Sequence, residues 1–183
     1  MSHPPRVLAV CTGNISRSPA VEYLLKDALP GVEVHSAGVG SVVGAPVDAP
    51  VAEYLVSRGL TVDDFASRQL TPAMIAEADL VLALTRQHRA RILDLAPAAV
   101  RRTYTLREFA RVLESLPEAP GDGTPAERLA TVLPLVAAGR SLAPRRPAAE
   151  DDVDDPYGYG PEVYRQSLAD IQQAVDLIAA RLG

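Results

Sequence analysis

The 183-residue chain has no tryptophan, two phenylalanines, two methionines and a single cysteine, Cys11. One cysteine cannot form an internal disulfide or supply a thiolate metal cluster, so the fold is not stapled and requires no oxidising compartment. The three histidines, His3, His35 and His88, are scattered without ligand spacing, and no metal site and no cofactor are expected. Long apolar runs are absent as well. The first, Val7 to Val10, is too brief for a signal-peptide core or a membrane span, so no membrane insertion is expected and the cytoplasm is the default location. Basic charge is in deficit: 18 Lys and Arg against 23 Asp and Glu give a net charge of −5, which disfavours the phosphate-neutralising surface of a nucleic-acid binder.

What remains is ordinary globular composition, 48% hydrophobic and 22% charged, in a chain of about one domain's length. Val7-Leu8-Ala9-Val10 reads as a buried strand and Val32 to Ser36 as a second. Between them Ser18-Pro19 opens a helix, Ser18 as cap and Pro19 in the first turn, ended by Pro30-Gly31. Asp48 to Ser57 and a short stretch from Thr71-Pro72 read as helices, Ala78 to Leu84 as an apolar strand, Arg86 to Leu95 as a helix and Arg101 to Leu106 as a last strand. This alternation predicts a three-layer α/β fold, a central parallel sheet of about four strands with helices on both faces; the Gly/Asn loop between strand 1 and the Ser18-Pro19 helix start is expected to be a phosphate-binding loop. Residues 1–183 are expected to form one domain with a helical insertion at about 107–149. That insertion comprises a helix through about Leu116, a flexible linker from Pro117 to Gly123, a second helix from Pro125 to Ala138 with a Leu129, Val132, Leu133, Val136 stripe, and the Pro144 to Pro147 segment. The acidic run from Glu150 to Asp155, with the exception of Asp155, and the arginines at 86, 89, 91, 101 and 102 read as solvated. A closing helix from about Pro161 to Leu182 carries a Leu168, Ile171, Val175, Ile178, Leu182 stripe expected to dock on the sheet.

The chemistry concentrates after the first strand. A Gly/Asn loop running into a helix start gathers backbone N–H groups and the positive helix end around one small space, which suits a phosphate-like dianion. Cys11 opens this loop, where the same field stabilises a thiolate, and Arg17 ends it with a fork that matches two phosphate oxygens. Thiolate attack on a bound phosphate ester gives a phosphocysteine, and the leaving oxygen then needs a proton from another segment.

Cys11-Thr12-Gly13-Asn14-Ile15-Ser16-Arg17-Ser18-Pro19, directly after the first strand, resembles the signature loop of the low-molecular-weight protein tyrosine phosphatase family, and Asp155-Pro156-Tyr157 resembles its acid loop. The likeness extends through Ser36-Ala37-Gly38, Arg68-Gln69-Leu70-Thr71 and Ala78 to Leu82, covering roughly 6–97 and 150–183. The resemblance implies Cys11 as nucleophile, Arg17 as phosphate clamp, and loop positions Thr12, Gly13, Asn14, Ile15, Ser16 and Ser18 as the cradle. It further implies Ser18 as thiolate partner, Asn14 with Ser36 as loop support, Asp155 as general acid and then base, and Tyr157 with Tyr159 as the entrance wall. The implied substrate is phosphotyrosine in proteins, with inorganic phosphate or a similar oxyanion as loop ligand and a monomer or weak dimer as the assembly.

The chain departs from the family pattern at four places. Ser16 stands where many members carry a second cysteine, so an oxidised Cys11 needs an external thiol. Gly40-Ser41-Val42-Val43-Gly44 lacks the aromatic residue often offered to the substrate ring, which weakens phosphotyrosine selectivity, whereas Ile15 stands where phosphoarginine-selective relatives tend to have Thr. Gly158 separates Tyr157 from Tyr159, residues commonly adjacent. Two other functions compete: a small-thiol-dependent arsenate reductase, disfavoured by Asp155-Pro156-Tyr157, and a non-catalytic phosphoprotein-binding module, disfavoured by the intact Cys11, Arg17 and Asp155.

Overall fold

A computed structural model describes residues 3–117, 121–141 and 147–183. The middle of the expected linker and most of the Pro144 to Pro147 segment lie outside them. Strands β1 (Arg6–Cys11), β2 (Glu33–Gly38), β3 (Leu80–Ala83) and β4 (Thr103–Thr105) form one sheet in the order β2-β1-β3-β4. Each pairing is parallel, with Ala9 facing Ser36 on one side and Leu82 on the other. Helices α1 (Arg17–Ala28), α2 (Ala49–Val56), α3 (Pro72–Glu77), α4 (Arg86–Leu95), α5 (Leu106–Ser115), α6 (Pro125–Gly139) and α7 (Pro161–Leu182) cover it. This is the expected three-layer α/β architecture.

The period-2 alternation of the strands divides the core in two. Val7, Ala9, Cys11, Leu80 and Leu82 face a large cluster with α1, α2, α5, α6 and α7, whereas Leu8, Val10, Val81 and Ala83 face a smaller one with Ile75 of α3 and Ile92 of α4. Because β1 is central and its neighbours are reached in opposite directions, the loops after β1 and β3 flank a crevice at the carboxyl edge, the position where open α/β sheets bind ligands.

Four expectations change. Helix α1 begins at Arg17, one residue before the expected cap, and its cap position, Ser16, makes no side-chain cap bond; Ser18 lies inside the first turn and its hydroxyl is used elsewhere. The α7 stripe is buried, but α7 packs chiefly on α1 and α5 rather than on the strands. The first helix of the expected insertion is built into the core: Leu106, Phe109, Val112 and Leu113 of α5 are buried, and a Thr105–Glu108 capping box starts it directly from β4. Helix α6 has its own capping box at Thr124–Glu127 and buries Leu129, Val132 and Val136, with Leu133 half-buried. Its end is fastened to α5 by Arg140, which grips both Glu108 oxygens at 2.7 and 2.9 Å and stacks over Tyr104. Lastly, the acidic run is not merely solvated: Asp152 accepts from the Arg86 backbone N–H at 2.7 Å and pairs with its guanidinium, and Asp151 pairs with Arg111 at 2.5 Å. Arg89 donates to the Thr103 carbonyl at 3.1 Å.

Candidate active site

The loop after β1 is shaped from behind. The carbonyls of Cys11, Thr12, Gly13 and Ile15 accept the backbone N–H groups of Val39, Gly40, Val42 and Asp48 at 3.0, 3.0, 3.4 and 2.8 Å. A peptide plane holds its C=O and the following N–H in opposite directions. Carbonyls drawn outward therefore turn the N–H groups of Thr12, Gly13, Asn14 and Ser16 inward, and the Asn14 N–H indeed reaches Cys11 Sγ at 3.3 Å. The turn requires one left-handed residue, Asn14, at φ 55°. Asparagine tolerates that region better than most side chains.

Asn14 is held there by three hydrogen bonds. Its Nδ2 donates to Ser18 Oγ at 3.0 Å and to Ser36 Oγ at 2.7 Å, and its Oδ1 accepts the Arg68 backbone N–H at 2.7 Å. Ser36 in turn donates to Glu22 Oε2 at 2.5 Å, and Glu22, 4% exposed, is compensated by Lys26 at 2.6 Å and Arg68 at 3.8 Å. A buried carboxylate is tolerable only with such partners. Gly38 permits the closest approach: a Cβ there would lie 2.3 Å from the Thr12 carbonyl oxygen and 3.0 Å from Asn14 N.

Cys11 is buried at the base of this loop with Ser18 Oγ 3.0 Å from its sulfur. Arg17, 4% exposed, forks between the Val153 carbonyl at 3.0 Å and Asp155 Oδ2 at 2.5 Å. The Val153 N–H donates to the Leu84 carbonyl at 2.8 Å, so the acid loop hangs from the end of β3, and Asp155 Oδ1 caps the Tyr157 N–H at 3.2 Å. Cys11, Thr12, Gly13, Ile15, Ser16, Arg17, Val42, Asp155 and Tyr157 line one cavity of about 130 Å³. Asn14, Ser18 and Ser36 stand behind its wall. Tyr159 is outside the lining and 67% exposed, so among the two expected entrance tyrosines only Tyr157 borders the cavity.

Ser16 lines the cavity but donates its hydroxyl to Asp48 at 3.3 Å, and Tyr164 of α7 donates to the same carboxylate oxygen. Burial foremost, then Asp48, pushes the Tyr164 phenol up to about 12, so it stays a donor at neutral pH. Asp48 thus ties α2, α7 and the loop together. Sequence pattern alone does not single out Asp48, Glu22, Val153 or His88. His88 lies in the first turn of α4 and its Nε2 lies 2.8 Å from Thr12 Oγ1; the one local signal for it is the helix-capping Thr85 three positions earlier. Among the described residues no group of three His, Cys, Asp or Glu side chains could hold a metal, and no helix is long and apolar enough to cross a membrane.

Comparison with known proteins agrees with this geometry. The low-molecular-weight protein-tyrosine-phosphatase Etp of Escherichia coli K12 is 45% identical over 91 residues, which span 50% of this chain and 62% of Etp. A protein-arginine-phosphatase of Geobacillus stearothermophilus is 31% identical over 180 residues, 98% of this chain and 97% of that one. Among solved structures, the YwlE arginine phosphatase of the same organism superimposes with a TM-score of 0.71 at 31% identity, covering 98% of this chain and 93% of its own. The tyrosine phosphatase AmsI of Erwinia amylovora has the same fold, with a TM-score of 0.72 at 22% identity over 98% of this chain and 94% of its own. The family model for low molecular weight phosphotyrosine protein phosphatase matches residues 6–118, a stretch that takes in the whole sheet, the Cys11 to Arg17 loop and α5. By this match the chain belongs to the low molecular weight phosphotyrosine protein phosphatase family.

Proposed function

We propose that this protein hydrolyses phosphotyrosine in proteins through a phosphocysteine on Cys11. The observation that carries the reading is the meeting of Cys11 and Arg17, from the two ends of one loop, with Asp155, from a segment 138 positions beyond Arg17, in one cavity of about 130 Å³. The inward N–H groups and the Arg17 fork bind the dianion and stabilise the charge of the transition state. The Cys11 thiolate, hydrogen-bonded by Ser18 and the Asn14 N–H, attacks phosphorus. As the S–P bond forms, the P–O bond to tyrosine breaks and the leaving oxygen takes a proton from Asp155. Water then gives a proton to the Asp155 carboxylate and attacks phosphorus, releasing phosphate and the thiolate, with Ser18 donating to the departing sulfur.

The walls bear on the substrate. Ile15, Val42 and Tyr157 supply apolar surface around the cavity, which favours an aryl group next to the phosphate over a charged one. Val42 and Ile15 are aliphatic, so among the lining residues Tyr157 alone offers a face for stacking, and selectivity for aryl over alkyl phosphates is modest. Phosphoarginine, against which Ile15 counts, gains weight as an alternative substrate from the arginine-phosphatase relative that matches almost the full chain.

The test is the initial rate on a phosphotyrosine peptide beside phosphoserine and phosphoarginine peptides. Cys11→Ser should lose turnover entirely while still binding inorganic phosphate. A substantial residual rate in that variant overturns the nucleophile assignment. Preference for phosphoarginine moves the substrate, and absence of release from every substrate leaves arsenate reduction with a small thiol, or a binding module, as the function of the loop.

A further inference from the structure

His88 is buried to 5% exposure with both ring nitrogens occupied: Nδ1 lies 3.0 Å from Thr85 Oγ1 and Nε2 lies 2.8 Å from Thr12 Oγ1. Thr12 follows the nucleophile directly and lines the cavity. Its carbonyl is already held by the Gly40 N–H at 3.0 Å, and His88 grips the same residue through the side chain. Thr85 caps α4 by accepting the His88 backbone N–H at 3.1 Å. The charged groups that face the ring are Arg17, Asp155 and Asp152.

A neutral imidazole has one donor and one acceptor. The Thr85 oxygen takes the His88 amide proton and can donate its own hydroxyl proton to Nδ1. With Thr85 as that donor, the ring proton is on Nε2, facing Thr12. Thr12 then accepts from His88, which leaves its hydroxyl proton for a phosphoryl oxygen in the loop.

We propose that His88 is a positioning residue for the phosphate loop: its Nε2–H fixes the Thr12 hydroxyl, and with it the Thr12–Gly13 peptide, so that Gly13 N–H and Thr12 O–H both point at the bound dianion. Nothing in the family match assigns a role to this residue, and its link to turnover rests on the phosphatase reading above. Burial first, then the Arg17 charge, lowers the ring to about 4, which keeps it neutral over the range in which a phosphatase is assayed.

The experiment uses the full chain and four variants: His88→Ala, His88→Gln, Thr12→Val and the double variant His88→Ala with Thr12→Val. Initial rates on a phosphotyrosine peptide are measured beside the affinity for inorganic phosphate, and a 15N spectrum of the imidazoles reads the tautomer. Groups that act as one unit give non-additive losses. His88→Ala and Thr12→Val should each cut kcat/KM about tenfold, in kcat as well as KM, and weaken phosphate to a similar degree; the double variant should be no worse than either. His88→Gln, which can present an N–H near the Nε2 position, should recover most of the loss. The spectrum should show a neutral, Nε2-protonated ring that shifts in Thr12→Val.

Multiplying losses, an unaffected kcat/KM in His88→Ala, or an Nδ1-protonated ring overturns the proposal. Where His88→Ala fails to fold, the glutamine variant, Thr12→Val and the wild-type spectrum decide the same question. A wild-type protein without phosphatase activity defeats the functional reading alone, because phosphate affinity and the tautomer still decide the role of His88.

Discussion

The buried histidine makes stability depend on pH with a slope that can be worked out. Burial and the Arg17 guanidinium hold His88 down at about 4 against an ordinary 6.5. The unfolded chain therefore binds this proton more tightly than the folded one, and the stability His88 contributes is full above about 6.5 and is lost as pH falls toward about 4. Integrating between about pH 7.5 and about pH 5 gives roughly 1.4 pK units, or about 2 kcal/mol lost. For a chain of this length 1 kcal/mol moves Tm by about 2–4 °C, so the histidine alone is worth a drop of roughly 4–8 °C.

The assay is urea unfolding of wild type and His88→Gln at several pH values across that interval. Glutamine does not titrate, and the carboxylates contribute to both proteins alike, so the difference between the two curves isolates His88. The variant starts less stable because it packs imperfectly, and the gap should narrow by about 2 kcal/mol on acidification. Parallel curves would refute the reasoning, since they would mean that the ring takes up a proton in the folded state as readily as in the unfolded one.

Other substitutions probe the rest of the site. Gly38→Ala places a Cβ 2.3 Å from the Thr12 carbonyl oxygen, so the loop must shift; phosphate affinity and kcat/KM should both fall by at least about tenfold, with a loss of about 1–3 kcal/mol in urea unfolding. Asp155→Asn keeps a side chain able to cap Tyr157 N–H but removes the transferable proton, and it should slow an alkyl or peptide phosphotyrosine substrate by about 10²–10⁴-fold and an activated aryl phosphate much less. Equal slowing of both in a leaving-group series would count against the acid role. Tyr164→Phe removes a donor to Asp48 while Ser16 remains, and should cost about 1 kcal/mol of stability with a small rise in the phosphate dissociation constant, read by titration calorimetry.

The parts of this architecture that are legible in the sequence are those governed by local pattern. Helix α4 runs from Arg86 to Leu95 as its periodicity predicts, α7 spans Pro161 to Leu182, and the signature loop sits between β1 and α1. The shifted start of α1 has a physical cause: Ser18 has the right chemistry for a cap, but Cys11 and Asn14 compete for its hydroxyl and win. Contacts distant in sequence leave no local mark. Thr12 and His88 are 76 positions apart, Arg17 and the Val153 carbonyl 136 apart, and a carbonyl partner is in any case independent of side-chain identity. A stripe such as that of α7 says that a face is buried and is silent about whether strands or helices bury it. For α5, the change of rhythm after β4 reads as an insertion because no strand follows; its burial depends on α7, some fifty residues on.

The two halves of the site are held with very different stringency, and this has a mechanistic consequence. A left-handed non-glycine residue costs on the order of 1 kcal/mol or more and persists only where the surroundings over-determine it. Asn14 meets that condition through three side-chain bonds, and the carbonyls on either side of it are pinned by four backbone N–H groups from residues 39–48. The cradle is thus formed without help from its ligand, so an arriving dianion has little loop ordering to offset, and electrostatic preorganisation is greatest where charge develops. Asp155 is 46% exposed and reaches the cradle through Arg17 and the Val153 hinge to β3. In the proposed mechanism the guanidinium fork that holds the phosphoryl group also holds the acid, which couples binding of the dianion to the placement of the proton donor beside the leaving oxygen.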